Sequence, residues 1–243
     1  MMTGDQSHWV ADYFTACSCE VTPSATRAVA RVLHAPFSRE PAVTDRCASV
    51  LSKDELQRAG RFRDANEKAG FIQRRAFRRF CGLLALCSVQ PLSRHAFQES
   101  GNGRPYLSGA PEIGFSFSAC RSGFMGAWSS THGVGVDIEN QNRDIEANDL
   151  AHSYFSEAEA VAVEGQGGQK RLQTFYRFWT LKEAALKSIG EGLPFGLSAF
   201  QFELNPAIRM TQAPAQHGGA PQFAAHAVEV VDHSAALVLQ NPA

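Results

Sequence analysis

The chain has 243 residues, of which 44% are hydrophobic and 19% are charged, and its formal net charge at pH 7 is −1. This composition is typical of a globular protein with its own core, and it argues against intrinsic disorder and against a general attraction to nucleic acid or membranes. No stretch reaches the roughly 20 apolar residues of a membrane span and no secretory leader precedes the chain, so we expect a cytoplasmic protein.

The first half of the chain is predicted to hold a strand and two helices. Residues 30–37 have the pattern of a strand, and Ser52 with Glu55 has capping-box spacing, which predicts a helix start near Lys53. A second helix is predicted over about residues 66–87, with apolar residues on one arc and arginines on the other. The apolar arc comprises Ile72, Ala76, Phe80, Leu83, Leu84 and Cys87, and the basic arc comprises Arg74, Arg75, Arg78 and Arg79.

This helix belongs to a wider basic segment. Over residues 58–79 this segment carries only two acidic residues, Asp64 and Glu67, but eight cationic ones. The cationic residues are Arg58, Arg61, Arg63, Lys68, Arg74, Arg75, Arg78 and Arg79. A solvated helix face is the usual meaning of such a run. Clustered arginines also suit bidentate phosphate binding, so both interpretations stay open at this point.

The second half is predicted to be richer in strands. Strands are predicted over residues 113–118, 124–129 and 133–139, with closing strands within residues 223–239. Ser156 and Glu159 repeat the capping-box spacing, and a helix over residues 170–189 is followed by Gly190 as its C-terminal cap. Helix followed by strands occurs in each half, so we predict an α+β protein with a boundary near residues 120–130.

Two carboxylates stand on the strand predicted over residues 133–139. The period of two places Asp137 and Glu139 on one face, while Val134, Val136 and Ile138 face the core. Carboxylates within about 7 Å of each other repel unless a cation or solvent separates them. The segment alone does not distinguish a metal site from a solvent-facing strand end.

The long C-terminal helix brings an acid, a base and two aromatic residues to one face. At 100° per residue, Tyr176, Trp179, Glu183 and Lys187 fall within an arc of about 80°. Taken alone, this pattern favours an ordinary core stripe with a Glu–Lys pair at i,i+4.

Together, these motifs occur in an order that resembles the surfactin-synthetase-type 4′-phosphopantetheinyl transferases, across about Leu51 to Leu193. The resemblance is carried by Leu51-Ser-Lys-Asp-Glu55, Arg61-Phe62-Arg63, Gly103-Arg-Pro105, Phe115-Ser-Phe-Ser118, Gly135-Val-Asp-Ile-Glu139, Phe155-Ser156 with Glu159, and Trp179-Thr-Leu-Lys-Glu-Ala-Ala-Leu-Lys187. The GVDIE and WxxKExxxK motifs are the specific part.

The resemblance implies a pseudo-dimer of two similar α/β subdomains in one monomeric chain, with coenzyme A in the cleft between them. Residues 1–125 would form the first subdomain and supply coenzyme A phosphate contacts. Residues 126–243 would form the second and supply a Mg²⁺ site and the docking surface for a carrier protein. The implied reaction moves the 4′-phosphopantetheine arm of coenzyme A to a serine of an apo acyl, peptidyl or polyketide carrier, releasing 3′,5′-ADP.

The resemblance also implies roles for residues at matching positions. Asp137, Glu139 and Glu183 would hold Mg²⁺ against the coenzyme A pyrophosphate, in line with the oxygen ligands that magnesium prefers. Glu183 would also act as general base on the carrier serine. Lys187 would bind coenzyme A and neutralise charge on the bridging oxygen during transfer.

Further coenzyme A contacts are implied for Arg104 and Ser118. The family's usual Ser-His-Ser segment reads Ser118-Ala-Cys120 in this chain, so a histidine phosphate contact is missing at Ala119. We expect Arg63 and Arg75 to compensate for it.

Carrier docking is expected at the segment between the strand that carries Asp137 and Glu139 and the helix that carries Glu183. There, Tyr154 and Phe155 would serve as apolar anchors, beside a flexible stretch that continues to Lys170.

Two alternatives are weighed against an active transferase. A magnesium nuclease also combines Asp-x-Glu with a Glu and a Lys, but it commonly carries Glu-x-Lys on a strand. A degenerate transferase that docks carriers without turnover is suggested by Ala119 alone.

Overall fold

The computed structural model describes residues 5–190 and 196–241, in which helices and antiparallel sheets are mixed, so the predicted α+β class is confirmed. The helices are α1 (Asp5–Cys17), α2 (Pro41–Ala48), α3 (Lys53–Ala59), α4 (Ala65–Ala85), α5 (Ala147–Tyr154), α6 (Glu157–Glu164) and α7 (Gly168–Ile189). The strands are β1 (Cys19–Glu20), β2 (Arg31–Pro36), β3 (Gln98–Glu99), β4 (Pro105–Tyr106), β5 (Gly114–Cys120), β6 (Gly123–Ser129), β7 (Gly133–Asn140), β8 (Gln201–Glu203), β9 (Arg209–Gln212), β10 (Phe223–Ala227) and β11 (His233–Gln240). In the part of the chain covered by these ranges, no helix has the length and apolar character needed to cross a bilayer.

Two antiparallel sheets form the centre of the molecule. The first has the order β1-β2-β6-β5 and packs against α4, and the second has the order β10-β11-β7 and packs against α7. Strands β5 and β7 lie side by side, where the backbone N–H of Val136 donates to Ser116 Oγ at 3.0 Å. The edge of one sheet therefore meets the edge of the other, and side chains of both can share one site.

The division of the chain into two subdomains stays a prediction, but its boundary needs adjustment. Strand β6 belongs to the first sheet through its pairing with β2 and β5, and it continues to Ser129. A boundary at residues 125 and 126 would cut this strand. The turn at residues 130–132 is the place where the chain passes from the first sheet to the second.

The helix predicted over residues 66–87 is confirmed as α4, but it ends at Ala85, so that Cys87 of the predicted apolar arc lies exposed beyond it, and two residues within the helix lie on the wrong face. Arg79 was placed on the exposed basic arc and is buried at 1% exposure, whereas Leu84, placed on the apolar arc, is 37% exposed. Both guanidinium nitrogens of Arg79 donate to the Glu55 carboxylate, at 3.1 and 2.7 Å. Burial raises the pKa of Glu55, but the Arg79 hydrogen bonds, the Ser52 N–H and the charges of Arg79 and Arg75 together hold the pKa below its ordinary value. This ion pair explains how α4 buries a cation against α3.

A close contact between α7 and β7 depends on a residue without a side chain. A Cβ atom on Gly135 would lie 1.9 Å from the Ala184 carbonyl oxygen and 2.5 Å from the Ser188 nitrogen. Both neighbours are backbone atoms of α7, so only glycine permits the helix to lie this near the strand. This contact places Glu183 and Lys187 beside the carboxylates of β7.

Candidate active site

Strand β7 presents the two acidic residues as the alternation predicts. Val134, Val136 and Ile138 are fully buried on the core side. Asp137 is buried at 4% exposure, and the Glu139 side chain is 24% exposed. The carboxylates therefore lie at a partly buried edge of the sheet rather than at a fully solvated strand end.

Helix α7 brings only part of its predicted face to this edge. Tyr176 is buried, and Trp179 packs against Phe175 at 5.7 Å between ring centroids, so the two aromatic residues belong to the core. Glu183 and Lys187 line the cleft instead. The N-terminal half of this helix face therefore belongs to the core, and its C-terminal half belongs to the candidate site.

Asp137, Ser118 and Lys187 form one hydrogen-bonded group across three elements. Ser118 Oγ donates to Asp137 Oδ1 at 2.7 Å, and Lys187 Nζ donates to the same oxygen at 2.6 Å and to Ser118 Oγ at 3.4 Å. The other oxygen, Asp137 Oδ2, is buried and has no hydrogen-bond partner within the described ranges. A buried carboxylate oxygen without a donor is costly, so this atom is a natural ligand for a cation.

The electrostatics of the neighbouring glutamates also favour a cation. Burial raises the pKa of Glu139, and the charges of Asp137 and Glu183 raise it further. The positive charges of Arg143 and Lys187 lower it, but by less. Burial raises the pKa of Glu183 as well, where Lys187 opposes the rise and Asp137 adds to it. No three acidic, histidine or cysteine side chains of the described residues are already grouped around a common metal position.

A cleft of about 270 Å³ lies beside this group and shares Lys187 with it. Its wall includes Glu183 and Lys187 from α7, Phe117 from β5, and the arginines Arg78 and Arg104. The cleft thus combines an acidic group and three cationic groups with an apolar floor, and such an arrangement can hold an anionic ligand.

Arg104 occupies a slot made by two glycines. A Cβ on Gly190 would lie 2.9 Å from Arg104 Nη1, and a Cβ on Gly114 would lie 3.3 Å from Nη2. Gly190 has the left-handed conformation of the predicted helix cap, with φ of 71°. Burial lowers the pKa of Arg104, and the described residues place no carboxylate in an ion pair with it. Its guanidinium therefore remains available to an anionic ligand.

The structure does not bring Arg63 and Arg75 to the cleft. Arg63 lies exposed between α3 and α4, and Arg75 pairs with Glu99 at 3.2 Å and approaches Glu55 at 4.0 Å. The helix face that turns toward the cleft carries Arg78 instead, which the sequence placed in the basic cluster without singling it out. No sequence signal separates Arg75 from Arg78, because the difference depends on where Glu55 and Glu99 lie.

Only one of the two expected docking anchors is at the surface. Tyr154 is 47% exposed, with its ring edge-on to Trp179 at 5.9 Å. Phe155 is 7% exposed and stacks on Phe175, so the expectation of an exposed Phe155 anchor is corrected: its ring closes the core beneath α5. The stretch beyond it was expected to be flexible and instead forms helix α6, whose predicted capping box is present.

Lys182, the residue before Glu183, was not recognised from the sequence. It is fully buried and donates to Glu159 Oε2 at 2.7 Å, to the Leu197 carbonyl at 3.1 Å and to the Phe200 carbonyl. Glu159 Oε1 in turn accepts from the Phe202 N–H at 2.9 Å. This satisfied buried pair ties α7 to α6 and to residues 197–202, and it fixes the helix that carries Glu183.

Comparison with known proteins gives one consistent family. Residues 133–238 match the model of the 4′-phosphopantetheinyl transferase superfamily. The chain is 29% identical over 174 residues to the L-aminoadipate-semialdehyde dehydrogenase-phosphopantetheinyl transferase of Xenopus laevis, covering 66% of this chain and 56% of that protein. It is 31% identical over 153 residues to a putative 4′-phosphopantetheinyl transferase of Synechocystis, covering 62% and 61%.

A further relative and one solved structure complete the comparison. The 4′-phosphopantetheinyl transferase HetI of Nostoc is 29% identical over 173 residues, covering 69% of this chain and 72% of that protein. The holo-[acyl-carrier-protein] synthase of Thermotoga maritima superposes with a TM-score of 0.36 at 20% identity, covering 46% of this chain and 64% of that chain. The chain spans less than two thirds of the length of the frog and Synechocystis relatives.

Proposed function

We propose that this chain, whose residues 133–238 match the 4′-phosphopantetheinyl transferase superfamily, transfers the 4′-phosphopantetheine arm of coenzyme A to a serine of an apo carrier protein. The carrier is of the acyl, peptidyl or polyketide kind, and the second product is 3′,5′-ADP. The observation that carries this proposal is the group formed by Asp137, Ser118 and Lys187 beside Glu183. It lies where the edges of the two sheets meet, beside a cleft whose wall includes Arg104, for which the described residues supply no ion-pair partner.

Glu183 is the proposed general base. Burial raises its pKa above the ordinary carboxylate value, which makes it a better proton acceptor near neutral pH. It takes the proton of the carrier serine hydroxyl while the serine oxygen bonds to the phosphorus on the pantetheine side. The bond from that phosphorus to the bridging oxygen breaks, and 3′,5′-ADP leaves with the electron pair.

Lys187 and Arg104 are proposed to hold the substrate phosphates. Lys187 Nζ already lies against Asp137 and can also donate to a phosphate oxygen in the cleft, so negative charge on the leaving oxygen is neutralised where it develops. Arg104 is held by its glycine slot and binds phosphate without first breaking an ion pair. Ser118 orients Asp137 and Lys187 through its two hydrogen bonds.

Asp137, Glu139 and Glu183 are the residues that would hold Mg²⁺. Their chemistry fits this ion, since Asp137 Oδ2 lacks a donor among the described side chains and burial with mutual repulsion raises the pKa of both glutamates. When bound, Mg²⁺ would neutralise charge on the pyrophosphate, with substrate and water oxygens completing its shell. A site completed by substrate does not require three preformed protein ligands.

Glu139→Gln is expected to stabilise the protein in EDTA and to weaken its response to Mg²⁺. At neutral pH the wild-type carboxylate costs stability because its folded pKa is raised, and this cost is relieved as the pH falls through that value. The gain should stay below about 1 kcal/mol because water screens a partly exposed group. Thermal unfolding in EDTA and in Mg²⁺ measures both effects.

The matched control is Asp149→Asn, which removes a carboxylate from α5 outside the site. It should leave the Mg²⁺-dependent rise in melting temperature unchanged. Equal responses of wild type and Glu139→Gln to Mg²⁺ at all concentrations would count against Glu139 as a ligand.

Tyr154 is the proposed docking anchor for the carrier. Tyr154→Ala is expected to raise the carrier KM about tenfold or more with little change in coenzyme A affinity, because an exposed aromatic ring of this kind supplies interface energy. Steady-state kinetics with each substrate varied separately measures the difference. Phe155→Ala is the contrasting variant, since removing its buried ring should lower stability by about 3–5 kcal/mol. If Tyr154→Ala raises the KM for the carrier and the KM for coenzyme A equally, Tyr154 has no specific docking role.

The alternatives are separable by experiment. The nuclease alternative needs Glu-x-Lys on a strand, whereas Glu183 and Lys187 are one turn apart on helix α7, so we do not retain it. Incubation with coenzyme A, Mg²⁺ and a panel of apo acyl, peptidyl and polyketide carriers, followed by intact mass measurement, tests transfer and carrier preference. Carrier binding without a mass gain would favour a degenerate transferase.

We also propose that the protein acts as a cytoplasmic monomer. The carboxylates from β7 and α7 and the arginines of the cleft all come from one chain, so a second copy is not needed to complete the site. Sedimentation velocity at assay concentration tests the monomeric state.

A further inference from the structure

The hydroxyl of Tyr176 is a buried polar group that the proposed mechanism does not use. Tyr176 lies on α7, is 3% exposed, and packs its ring edge-on against Phe175 at 5.4 Å between ring centroids. Its hydroxyl oxygen is buried as well, and the described residues offer it no hydrogen-bond partner. A buried phenol normally finds a hydrogen-bonding group, because leaving it unpaired costs folding free energy. The ring thus belongs to the core, while the hydroxyl stays available to an acceptor.

The packing of α7 on the second sheet brings Tyr176 to the acidic end of the site. In the β7–β11 ladder Ser234 is the direct partner of Glu139, so the two side chains point to the same face of the sheet. Ser234 Oγ lies 3.1 Å from Thr180 Oγ1 on α7. Thr180 lies one helical turn after Tyr176 and donates its hydroxyl to the Tyr176 carbonyl at 2.9 Å. The turn of α7 that begins at Tyr176 therefore lies beside Glu139.

The charges around Glu139 act on the Tyr176 hydroxyl. Burial raises the pKa of Tyr176, while the positive charge of Arg143 lowers it and the negative charge of Glu139 raises it. The hydroxyl end of the ring is therefore near both charged groups. Because the pKa is raised, the hydroxyl keeps its proton at neutral pH and serves as a hydrogen-bond donor.

Glu139 itself has only a weak partner on its outer side. Arg143 Nη1 lies 3.9 Å from Glu139 Oε2, and the Arg143 side chain is 62% exposed. An exposed ion pair at this distance contributes little and does not fix the direction of the carboxylate. The carboxylate is thus loosely paired toward solvent, while a donor without an acceptor lies on its buried side.

We propose that Tyr176 is a positioning residue for Glu139, whose carboxylate accepts a hydrogen bond from the Tyr176 hydroxyl when it binds a divalent cation. The inference rests on the proposed function, in which Glu139 is a Mg²⁺ ligand. Carboxylates that bind metals are themselves held by hydrogen bonds from neighbouring residues, which fix the orientation of the ligand. In this arrangement Glu139 turns from Arg143 toward the interior, and the phenol gains the acceptor that it lacks.

The test uses Tyr176→Phe, which removes the hydroxyl and keeps the ring. Calorimetric titration with Mg²⁺, with and without coenzyme A, should show Mg²⁺ affinity lowered about 10- to 100-fold, the usual cost of losing a partner of a metal ligand. In EDTA the variant should melt at or above the wild-type temperature, because it loses a buried hydroxyl that has no partner among the described residues. A purely structural hydroxyl would give the reverse, a lower melting temperature in EDTA with unchanged Mg²⁺ affinity.

Tyr13→Phe is the matched control. Tyr13 lies on α1, where its ring stacks on Trp9 at 5.3 Å, and its loss of the same atom should leave Mg²⁺ affinity unchanged. The inference is overturned if Tyr176→Phe binds Mg²⁺ within a factor of about two of wild type, or if wild type binds no Mg²⁺ in either condition.

Transfer assays add a readout that separates this inference from the proposed function. Tyr176→Phe should be slow at limiting Mg²⁺ and approach the wild-type rate as Mg²⁺ saturates, with the carrier KM unchanged. A rate that excess Mg²⁺ does not restore would contradict a positioning role. Calorimetry needs no turnover, so Mg²⁺ affinity that depends on Tyr176 without any transfer would contradict the proposed function and leave this inference in place.

Discussion

Glu183→Gln is expected to lower turnover by at least 10²–10⁴-fold, the usual cost of losing a general base, and further if Mg²⁺ binding is also weakened. The amide keeps the shape of the side chain but cannot accept the serine proton, and it lacks the charge that a Mg²⁺ ligand supplies. The fold should survive, because burial raises the pKa of Glu183 and its charge therefore costs stability at neutral pH. Single-turnover transfer to an apo carrier, with thermal unfolding alongside, separates these effects.

Glu164→Gln is the matched control for this experiment. Glu164 ends α6, is exposed and lies 3.6 Å from the exposed His152, so its neutralisation should leave turnover within a factor of about two, since surface pairs contribute little. Wild-type turnover in Glu183→Gln would show that another group accepts the proton and that the proposed mechanism is wrong.

Gly135→Ala is expected to destabilise the protein by at least about 3 kcal/mol and to abolish activity in any protein that still folds. The new methyl carbon would lie 1.9 Å from the Ala184 carbonyl oxygen, a distance that non-bonded atoms do not adopt. Relief requires α7 to move away from β7, and this movement would carry Glu183 and Lys187 away from Asp137. Urea unfolding, with the midpoint and slope fitted together, measures the loss.

A glycine-to-alanine substitution at a position with free space around it is expected to have the opposite effect on stability. Gly70 lies within α4 and a Cβ there would meet nothing within 4 Å, so Gly70→Ala should stabilise the protein by up to about 1 kcal/mol. If Gly135→Ala unfolded at the wild-type urea concentration, the close contact between α7 and β7 would not be what positions the site.

Much of the fold follows from local sequence patterns. Alternation of apolar and polar residues predicts the central strands, because the period of two is set by the backbone itself. Ser52 and Ser156 mark helix starts through hydrogen bonds that span only three residues. The same local geometry predicts that Asp137 and Glu139 share a face, so the acidic part of the site could be found without coordinates.

Other features depend on contacts between distant parts of the chain. A helical wheel treats Arg79 as one more basic residue, and only the position of Glu55 on another helix explains its burial. The same limit hides the difference between Arg75 and Arg78, since both lie within ion-pair distance of Glu99 and only Arg75 also approaches Glu55. It also hides the burial of Phe155, which follows a surface residue in sequence but faces the aromatic core. Gly135 carried a usable signal, since glycine within a strand often marks a close backbone approach.

The most direct test of the proposed activity is the intact mass of an apo carrier protein and of its serine-to-alanine variant after incubation with the protein, coenzyme A and Mg²⁺. We predict a gain of about 340 Da on the unmodified carrier, corresponding to one phosphopantetheine arm, and none on the serine-to-alanine carrier. The gain should disappear with Glu183→Gln at equal protein concentration. No gain on any carrier of the acyl, peptidyl or polyketide kind, or an equal gain on the serine-to-alanine variant, would contradict the account.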